Sequence, residues 1–248
     1  MVRLGLIGSG RWGQKILDTA SKIPECRLNH VKTYDYKDMY VYDLDGLIIA
    51  TPVDTHAEIV KAFPDTYLLV EKPLATDMKD VVFINNEKIM VGHTYLYNDN
   101  LQKELEKVGK LKFMYFNIDN METYGSQSSV LWELCPHGVA LAISLLGMPK
   151  NILGTIKRDQ AFIKLAYSDS VSVEILCNWH ALFKQTRIEV HGEKGSFIFD
   201  DTEPNKISPL ENELREFIGF IEGGQTRSGL KLGKQVVSVL STASAKLF

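Results

Sequence analysis

Three glycines near the start of the 248-residue chain have the spacing of a phosphate-binding turn. Gly8, Gly10 and Gly13 fit the pattern G-x-G-x-x-G. In this pattern the first glycine permits a tight turn, the second lets the backbone approach a pyrophosphate, and the third lets a helix pack closely on a strand. The amide groups at the start of the helix then favour the bound negative charge. We therefore predict that this turn binds the pyrophosphate of a dinucleotide.

The glycines carry this meaning only if a strand precedes them and a helix follows them. Residues 2–7 form a short, largely apolar run that ends at Gly8, which predicts a buried strand. Trp12, Ile16 and Ala20 then fall on one face of the following helix. A strand-turn-helix with a purely structural role is the alternative, and the context favours the dinucleotide.

The next strand, predicted at residues 27–32, departs from the dinucleotide pattern. An acidic residue about 20 positions after the glycines normally binds the ribose 2′-hydroxyl, but the first acid here, Asp35, follows the end of the strand at Lys32. The buried run 46–50 begins so soon afterwards that a full helix hardly fits, so the predicted Rossmann unit is abbreviated. Lys32 and Arg11 would attract a 2′-phosphate. We therefore expect NAD or NADP as cofactor, with NADP or dual use favoured.

Strand and helix patterns alternate up to about residue 110, which predicts an α/β fold with a parallel sheet covered by helices. Beyond that point, strand-like runs follow one another with little helix between them, which predicts an antiparallel meander. These runs are 151–158, 161–168, 171–180 and 186–200, and helices are predicted at 134–146, 209–222 and 230–247.

The composition excludes several classes of function. With 28 Lys and Arg against 31 Asp and Glu, the net charge of -3 provides no basic surface for nucleic acid. No apolar run reaches the ~20 residues of a membrane span, and Arg3 interrupts the first apolar run where a signal sequence would begin. The cysteines are widely spaced, and no histidine-carboxylate spacing matches a metal motif. We therefore expect a cytoplasmic protein with reduced thiols and no metal, nucleic-acid or membrane partner.

Short motifs follow one another in a fixed order along nearly the whole chain. They are GSGRWG (8–13), ATPVDTH (50–56), EKP (71–73), VGHTYLYN (91–98), LWELCPHGVALAISLLG (131–147), NWHALFKQTRIEVHGEKGSF (178–197) and PLENELREFIGFIEGG (209–224). Together they resemble the Gfo/Idh/MocA family (glucose-fructose oxidoreductase, inositol dehydrogenase), in particular its sugar and nucleotide-sugar dehydrogenases. The resemblance implies a Rossmann domain at 1–110, then an α/β substrate and oligomerisation domain at 111–248 with an open, largely antiparallel sheet and C-terminal helices. It also implies NAD(P)-dependent hydride transfer to or from a sugar or nucleotide-sugar carbon, in a homodimer or homotetramer.

The same resemblance assigns the catalytic residues. The family lysine of E-K-P corresponds to Lys72, and the family histidine of D-x-x-x-H corresponds to His137. Glu133 stands where the family has aspartate, which keeps the charge and adds a methylene. A lysine at a strand end can hold a substrate hydroxyl and stabilise alkoxide charge, and a histidine can take the hydroxyl proton. Since proline is tolerated in the first turn of a helix, Pro136 is expected to lie at the start of the helix that carries His137.

The remaining assignments concern binding. The cofactor is expected to contact the glycine turn, the second strand, the start of the ATPVDTH motif at residues 50–56 and the EKP motif at residues 71–73. The residues assigned to it are Gly8, Ser9, Gly10, Arg11, Trp12, Gly13, Lys32, Thr51, Pro52, His56, Glu71, Lys72 and Pro73. His93, Tyr95 and Tyr97 are expected to line a sugar pocket, and His191 is expected at the surface. Lys72-Pro73 is a candidate cis peptide bond. Two alternatives stay open: a non-catalytic NAD(P)-binding sensor or scaffold that retains the family fold, and transient use of the cofactor for elimination or hydrolysis.

Overall fold

The structure is a computed structural model that describes residues 1–31, 36–121, 129–201 and 205–245. The chain forms two compact units: the first comprises Met1–Tyr97 and Ile207–Lys234, and the second Asn98–Lys206 and Gln235–Phe248. Each unit is therefore built from two separate stretches of chain. Within the described ranges, no helix is both long and apolar enough to cross a membrane.

Strands and helices alternate in the first part of the chain, and strands dominate after it. The strands are β1 (Val2–Ile7), β2 (Cys26–Val31), β3 (Gly46–Ile49), β4 (Tyr67–Glu71), β5 (Ile89–Gly92), β6 (Leu111–Asp119), β7 (Asn151–Ile156), β8 (Gln160–Ser168), β9 (Val171–Asn178), β10 (Gln185–Gly192) and β11 (Ser196–Asp200). The helices are α1 (Arg11–Ala20), α2 (Val53–Ala62), α3 (Met78–Val81), α4 (Asp99–Lys107), α5 (Val130–Leu146), α6 (Pro209–Ile221) and α7 (Leu230–Ala245), with 3-10 helices at Tyr36–Val41 and Thr94–Tyr97.

The first unit contains a five-stranded sheet in the order β2-β1-β3-β4-β5, and every neighbouring pair is parallel. Strands β3 and β5 are buried at every position, as expected of strands covered on both faces. The strand order reverses at β1, because β2 lies on one side of it and β3 on the other. Open α/β sheets bind ligands at such a switch point, outside the carboxyl ends of the strands. The predicted parallel α/β sheet is confirmed.

The connection between β2 and β3 is short. Its described residues form the 3-10 helix Tyr36–Val41 and no α-helix. Parallel strands in a complete Rossmann unit are joined through an α-helix. The prediction of an abbreviated Rossmann domain is therefore confirmed.

The C-terminal stretch of the first unit covers the edge of the sheet at β5. The backbone N–H of Val91 donates to the carbonyl of Ser228 at 2.8 Å, and Ser228 Oγ donates to the carbonyl of Val91 at 2.6 Å. Helix α6 contacts α1 and the 3-10 helix that follows β5. An exposed edge strand would leave backbone groups unpaired, and this stretch pairs them. The division therefore differs from the predicted boundary near residue 110, because residues 207–234 complete the first unit.

The second unit contains a six-stranded sheet in the order β11-β10-β6-β9-β8-β7. Neighbouring strands are antiparallel except β6 and β9, which run parallel. The prediction of a largely antiparallel sheet is confirmed. The predicted antiparallel meander is found in β7, β8 and β9, but it does not continue into β10, because β6 lies between β9 and β10. The run 186–200 is also two strands, β10 and β11, rather than one.

Helix α5 packs against β6, β8 and β9 in the core of the second unit. Gly138 allows close approach, since a Cβ there would lie 3.0 Å from Phe116 and 3.1 Å from Ile175. The helix begins at Val130, so the predicted start at 134 is wrong and Pro136 lies inside the helix rather than in its first turn. Proline leaves one carbonyl of the preceding turn without its helical donor. The buried apolar residues on both sides of it nevertheless hold the helix against the sheet.

Candidate functional site

Two glycines of the turn between β1 and α1 are required by close backbone contacts. Gly8 has φ +116°, in the left-handed region that favours glycine. A Cβ on Gly8 would lie 2.3 Å from the carbonyl oxygen of Ala50, and a Cβ on Gly13 would lie 2.3 Å from the carbonyl oxygen of Gly8. Side chains therefore do not fit at either position. The turn brings the ends of β1 and β3 and the start of α1 into direct contact.

Gly10 differs from these two because it faces open space. A Cβ on it would meet no described atom within 4 Å. Gly10 is the N-cap of α1, the first turn of this helix carries no acidic side chain, and the neighbouring Ser9 and Arg11 are exposed. A helix N-terminus of this kind attracts anions through its backbone N–H groups and its dipole. These residues fit the pyrophosphate of a dinucleotide, which would approach the backbone at Gly10.

A hydrogen bond joins the glycine turn to the carboxyl end of β4. The indole N–H of Trp12 donates to Oε1 of Glu71, and the backbone N–H of Lys72 donates to Oε2 at 3.3 Å. Lys15 Nζ lies 4.8 Å from the centre of the Trp12 ring. Burial raises the pKa of Glu71 to about 7, while the charge of Lys72 and the Trp12 hydrogen bond act to lower it. The structure thus brings the predicted site residues Trp12, Glu71 and Lys72 together.

His56 on α2 connects the segments that follow β3 and β4. Its ring is buried, with Nδ1 2.9 Å from the carbonyl oxygen of Pro73 and Nε2 2.9 Å from that of Thr51. Pro52 is the N-cap of α2. The Lys72-Pro73 peptide bond is cis, as predicted. Burial holds the pKa of His56 below its usual value, although both carbonyls favour the charged ring. His56 therefore supports the strand ends from inside the protein.

Two of the residues predicted to line a sugar pocket are buried. His93 is 1% exposed, and neither ring nitrogen has a hydrogen-bond partner in the described part of the chain. Burial and the positive charge of Lys72 lower the pKa of His93 to about 3, so its ring is neutral. Tyr97 is 2% exposed and its hydroxyl donates to Glu216 at 3.0 Å, which indicates a structural role. Tyr95 is half-buried.

The predicted catalytic residues of the second unit lie on α5. Glu133 and His137 are half-buried and one helical turn apart, so their side chains share a face of the helix. The predicted cofactor residue Lys32 lies outside the described residues. His191 is exposed, as predicted, with Nδ1 2.8 Å from Ser196 Oγ. Within the described ranges, no three His, Cys, Asp or Glu residues form a group that could hold a metal ion.

Sequence reasoning missed Glu213 on α6, in the first unit. Its side chain is fully buried. Burial, together with the nearby charges of Glu71 and Glu216, raises the pKa of Glu213 well above its usual value. The sequence does contain a signal, because Glu213 shares the apolar face of an amphipathic helix with Leu210 and Phe217, where a charged residue is unusual.

Comparison with known proteins gives a family match within the second unit. Residues 113–198, from β6 into β11, match the family model described as GFO/IDH/MocA C-terminal domain. Inositol 2-dehydrogenase of Rhizobium meliloti is 24% identical, over 90% of this chain and 89% of that protein. The similarity therefore extends over nearly the whole length of both chains.

Solved structures share the fold of the whole chain. UDP-N-acetylglucosamine 3-dehydrogenase GnnA of Acidithiobacillus ferrooxidans superposes with a TM-score of 0.84 at 15% identity, covering 99% of this chain and 97% of that one. GenD2 from gentamicin A biosynthesis, in complex with NAD, superposes with a TM-score of 0.84 at 15% identity, covering 99% of this chain and 93% of that one. These findings show that residues 113–198 match the Gfo/Idh/MocA C-terminal domain and that the whole chain shares the fold of these solved structures.

Proposed function

We propose that the protein is an NAD(P)-dependent oxidoreductase that transfers a hydride between nicotinamide and a hydroxyl or keto carbon of a sugar or nucleotide sugar. The glycine turn carries this proposal, because Gly8 and Gly13 exclude side chains by contact while Gly10 faces open space. Dinucleotide binding requires this division of roles. The names of two relatives, an inositol 2-dehydrogenase and a UDP-N-acetylglucosamine 3-dehydrogenase, support the substrate class.

Each proposed residue has a role that follows from its chemistry. A bound nicotinamide supplies the hydride acceptor, or the hydride donor in the reverse direction. Lys72, after the carboxyl end of β4, holds the substrate hydroxyl and stabilises negative charge on its oxygen. His137 takes the hydroxyl proton as general base. Glu133 orients the ring of His137 and favours its protonated form. His93 and Tyr95 are the proposed substrate-binding residues of the first unit.

We propose NAD or NADP as the cofactor. The sequence argument for NADP depends on Lys32, outside the described residues, and on Arg11, which is exposed at the start of α1. The NAD complex of GenD2 gives no support to a preference for NADP. We expect titration with NADH and NADPH, followed by nicotinamide fluorescence, to show that both bind and that NADPH binds at least as tightly. A clear preference for NADH would contradict the expected preference, and failure of both to bind would overturn the proposed function.

Turnover separates this proposal from its main alternative, a non-catalytic NAD(P)-binding sensor or scaffold. The short β2–β3 connection and Glu133 in place of aspartate favour the alternative. A panel of inositols and nucleotide sugars, assayed by the absorbance of the reduced cofactor, tests both. Cofactor binding without turnover on any sugar would favour the sensor. Release of a leaving group without net change in the reduced cofactor would indicate transient oxidation during elimination or hydrolysis.

We also propose that the protein is a homodimer or homotetramer. Phe162, Lys164, Glu174 and Leu176 alternate with the buried side chains of β8 and β9 and are half-buried in the single chain. Lys164 and Glu174 form an ion pair of 2.8 Å among them, and Leu153 on the neighbouring strand is exposed. A mixed face of this kind suits association with a second copy. Light scattering at micromolar concentration is expected to give at least twice the chain mass of 28.0 kDa. A monomer mass would contradict this proposal.

A further inference from the structure

Glu213 on α6 is a carboxyl group without the partners that a buried charge requires. Its side chain is fully buried, and neither carboxyl oxygen has a hydrogen-bond partner of standard geometry among the residues that the structure describes. Among the residues that the structure describes, the charged side chains that act on it are the acids Glu71 and Glu216. An ionised carboxylate is costly to bury without a counter-charge. Glu213 is therefore a neutral carboxylic acid near pH 7.

Glu71, at the end of β4, has the donors that Glu213 lacks. Its two carboxyl oxygens accept hydrogen bonds from the indole N–H of Trp12 and the backbone N–H of Lys72. The charges of Lys72 and Lys15 also favour its ionised form. Charge-assisted bonds of this kind are stronger than bonds between neutral groups. Of the two acids, Glu71 is therefore the one that carries the negative charge.

The other groups around Glu213 do not supply a counter-charge within the described part of the chain. Glu216 is itself an acid, bound by the hydroxyl of Tyr97 and by the guanidinium of Arg227. Tyr97 keeps its proton, because burial and the nearby acids raise its pKa well above the usual value. The ring of His93 is neutral. The backbone N–H of His93 acts to lower the pKa of Glu213, but burial raises that pKa by more.

We propose that the buried Glu213 and the half-buried Glu71 form an acid pair that holds a single proton, and that the ionised Glu71 is a positioning residue that links the glycine turn to Lys72. Its carboxylate binds Trp12 of the turn and the backbone N–H of Lys72, the residue assigned to the substrate hydroxyl. Protonation of Glu71 would weaken both interactions, so the link requires Glu213 to keep the proton. The positioning role rests on the proposed function, whereas the acid pair does not.

Thermal unfolding of the full chain between pH 6 and pH 9 tests the acid pair. Folding raises the pKa of Glu213 above its ordinary value of 4.5. The free energy of unfolding of wild type therefore falls progressively as the pH rises from 4.5 through the pKa that Glu213 has in the folded protein. Glu213→Gln cannot ionise. We therefore expect its unfolding midpoint, measured relative to that of wild type, to be on the order of 5 °C higher at pH 9 than at pH 6. Glu211→Gln, on the same helix but bonded to Arg215, is the matched control and should follow wild type.

A second variant guards against a folding defect in the first. Glu213→Met places an unbranched apolar side chain of similar length in the buried position and carries no ionisable group. We expect the same relative gain at pH 9. Unfolding midpoints that run parallel to wild type at every pH, for whichever of the two variants fold, would overturn the acid pair. Failure of both variants to fold at pH 9 would also overturn it, because a neutral replacement should be tolerated there.

NADH titrations at pH 6 and pH 8 test the positioning role. The pKa of Glu71 is about 7, so wild-type affinity should rise severalfold over this range as Glu71 ionises. Glu71→Gln should bind NADH about tenfold more weakly at pH 8 and show a flat pH profile, while Glu211→Gln should keep the wild-type profile. A wild-type affinity that does not change with pH would overturn the link. Failure to bind NADH at any pH would overturn the proposed function and the positioning role, and the unfolding experiments would still decide the acid pair.

Discussion

Replacing Gly10 by valine is expected to weaken NADH binding by at least about 100-fold while leaving the fold intact. A Cβ at this position would meet no described atom within 4 Å, so the branched side chain has room in the free protein. It would occupy the space that a pyrophosphate needs beside the N-terminus of α1. Each charge-assisted hydrogen bond lost to the phosphates is worth roughly 1.5–3 kcal/mol. Fluorescence titration measures the affinity, and circular dichroism checks the fold.

Gly219→Val is the matched control for this change. Gly219 lies on α6 in the same unit, and a Cβ there would likewise have no described neighbour within 4 Å. Gly219 is not part of the glycine turn and the added side chain would meet no described atom, so the substitution should leave NADH affinity unchanged. If Gly10→Val binds NADH as tightly as wild type, the turn does not hold the pyrophosphate and the assignment is refuted.

The features that could be predicted from the sequence are local ones. Strand β1, the glycine turn and α1 follow one another directly, so the role of each glycine could be inferred from its position in the pattern. Lys72 could be placed after a strand because an apolar run directly precedes E-K-P. The same motif contains the X-Pro bond that proved to be cis. These inferences required no knowledge of the rest of the chain.

Pairings between distant segments could not be predicted in the same way. Alternation of buried and exposed side chains identifies a strand but not its neighbours, so nothing indicated that β6 enters the sheet between β9 and β10. The contact of Ser228 with Val91 is made largely by backbone groups, which leave no pattern in side-chain type. The predicted boundary near residue 110 therefore differed from the observed units, because residues 207–234 return to the first sheet.

The partners of buried polar side chains were also hidden. The motif ATPVDTH shows a histidine, but not that both ring nitrogens of His56 face backbone carbonyls. Tyr97 was predicted to line a pocket, whereas its hydroxyl binds Glu216 from a distant part of the chain. Pro136 suggested a helix start, and burial of the apolar residues around it overrode that local preference. Only Glu213 left a visible signal, as an acid on an apolar helix face.

Replacing His137 by alanine is expected to lower turnover roughly 10²–10⁴-fold, because a positioned general base contributes an acceleration of that order. NADH affinity should barely change, since His137 lies on α5 in the second unit and the glycine turn belongs to the first. Steady-state kinetics on a substrate from the sugar panel and an NADH titration of the same variant measure the two quantities. Near-normal turnover would show that the base lies elsewhere, and Lys72 would be the next residue to test.

Glu133→Gln separates the proton role of His137 from a purely structural one. The change keeps the shape of the side chain at the position one turn before His137 and removes its charge. Loss of a neighbouring anion disfavours the imidazolium form, so oxidation should reach half of its maximal rate at a lower pH, with turnover reduced. Glu174→Gln, which removes a carboxylate paired with Lys164 on the sheet of the same unit, is the control and should keep the wild-type profile. A Glu133→Gln profile that coincides with wild type would mean that Glu133 does not act on His137.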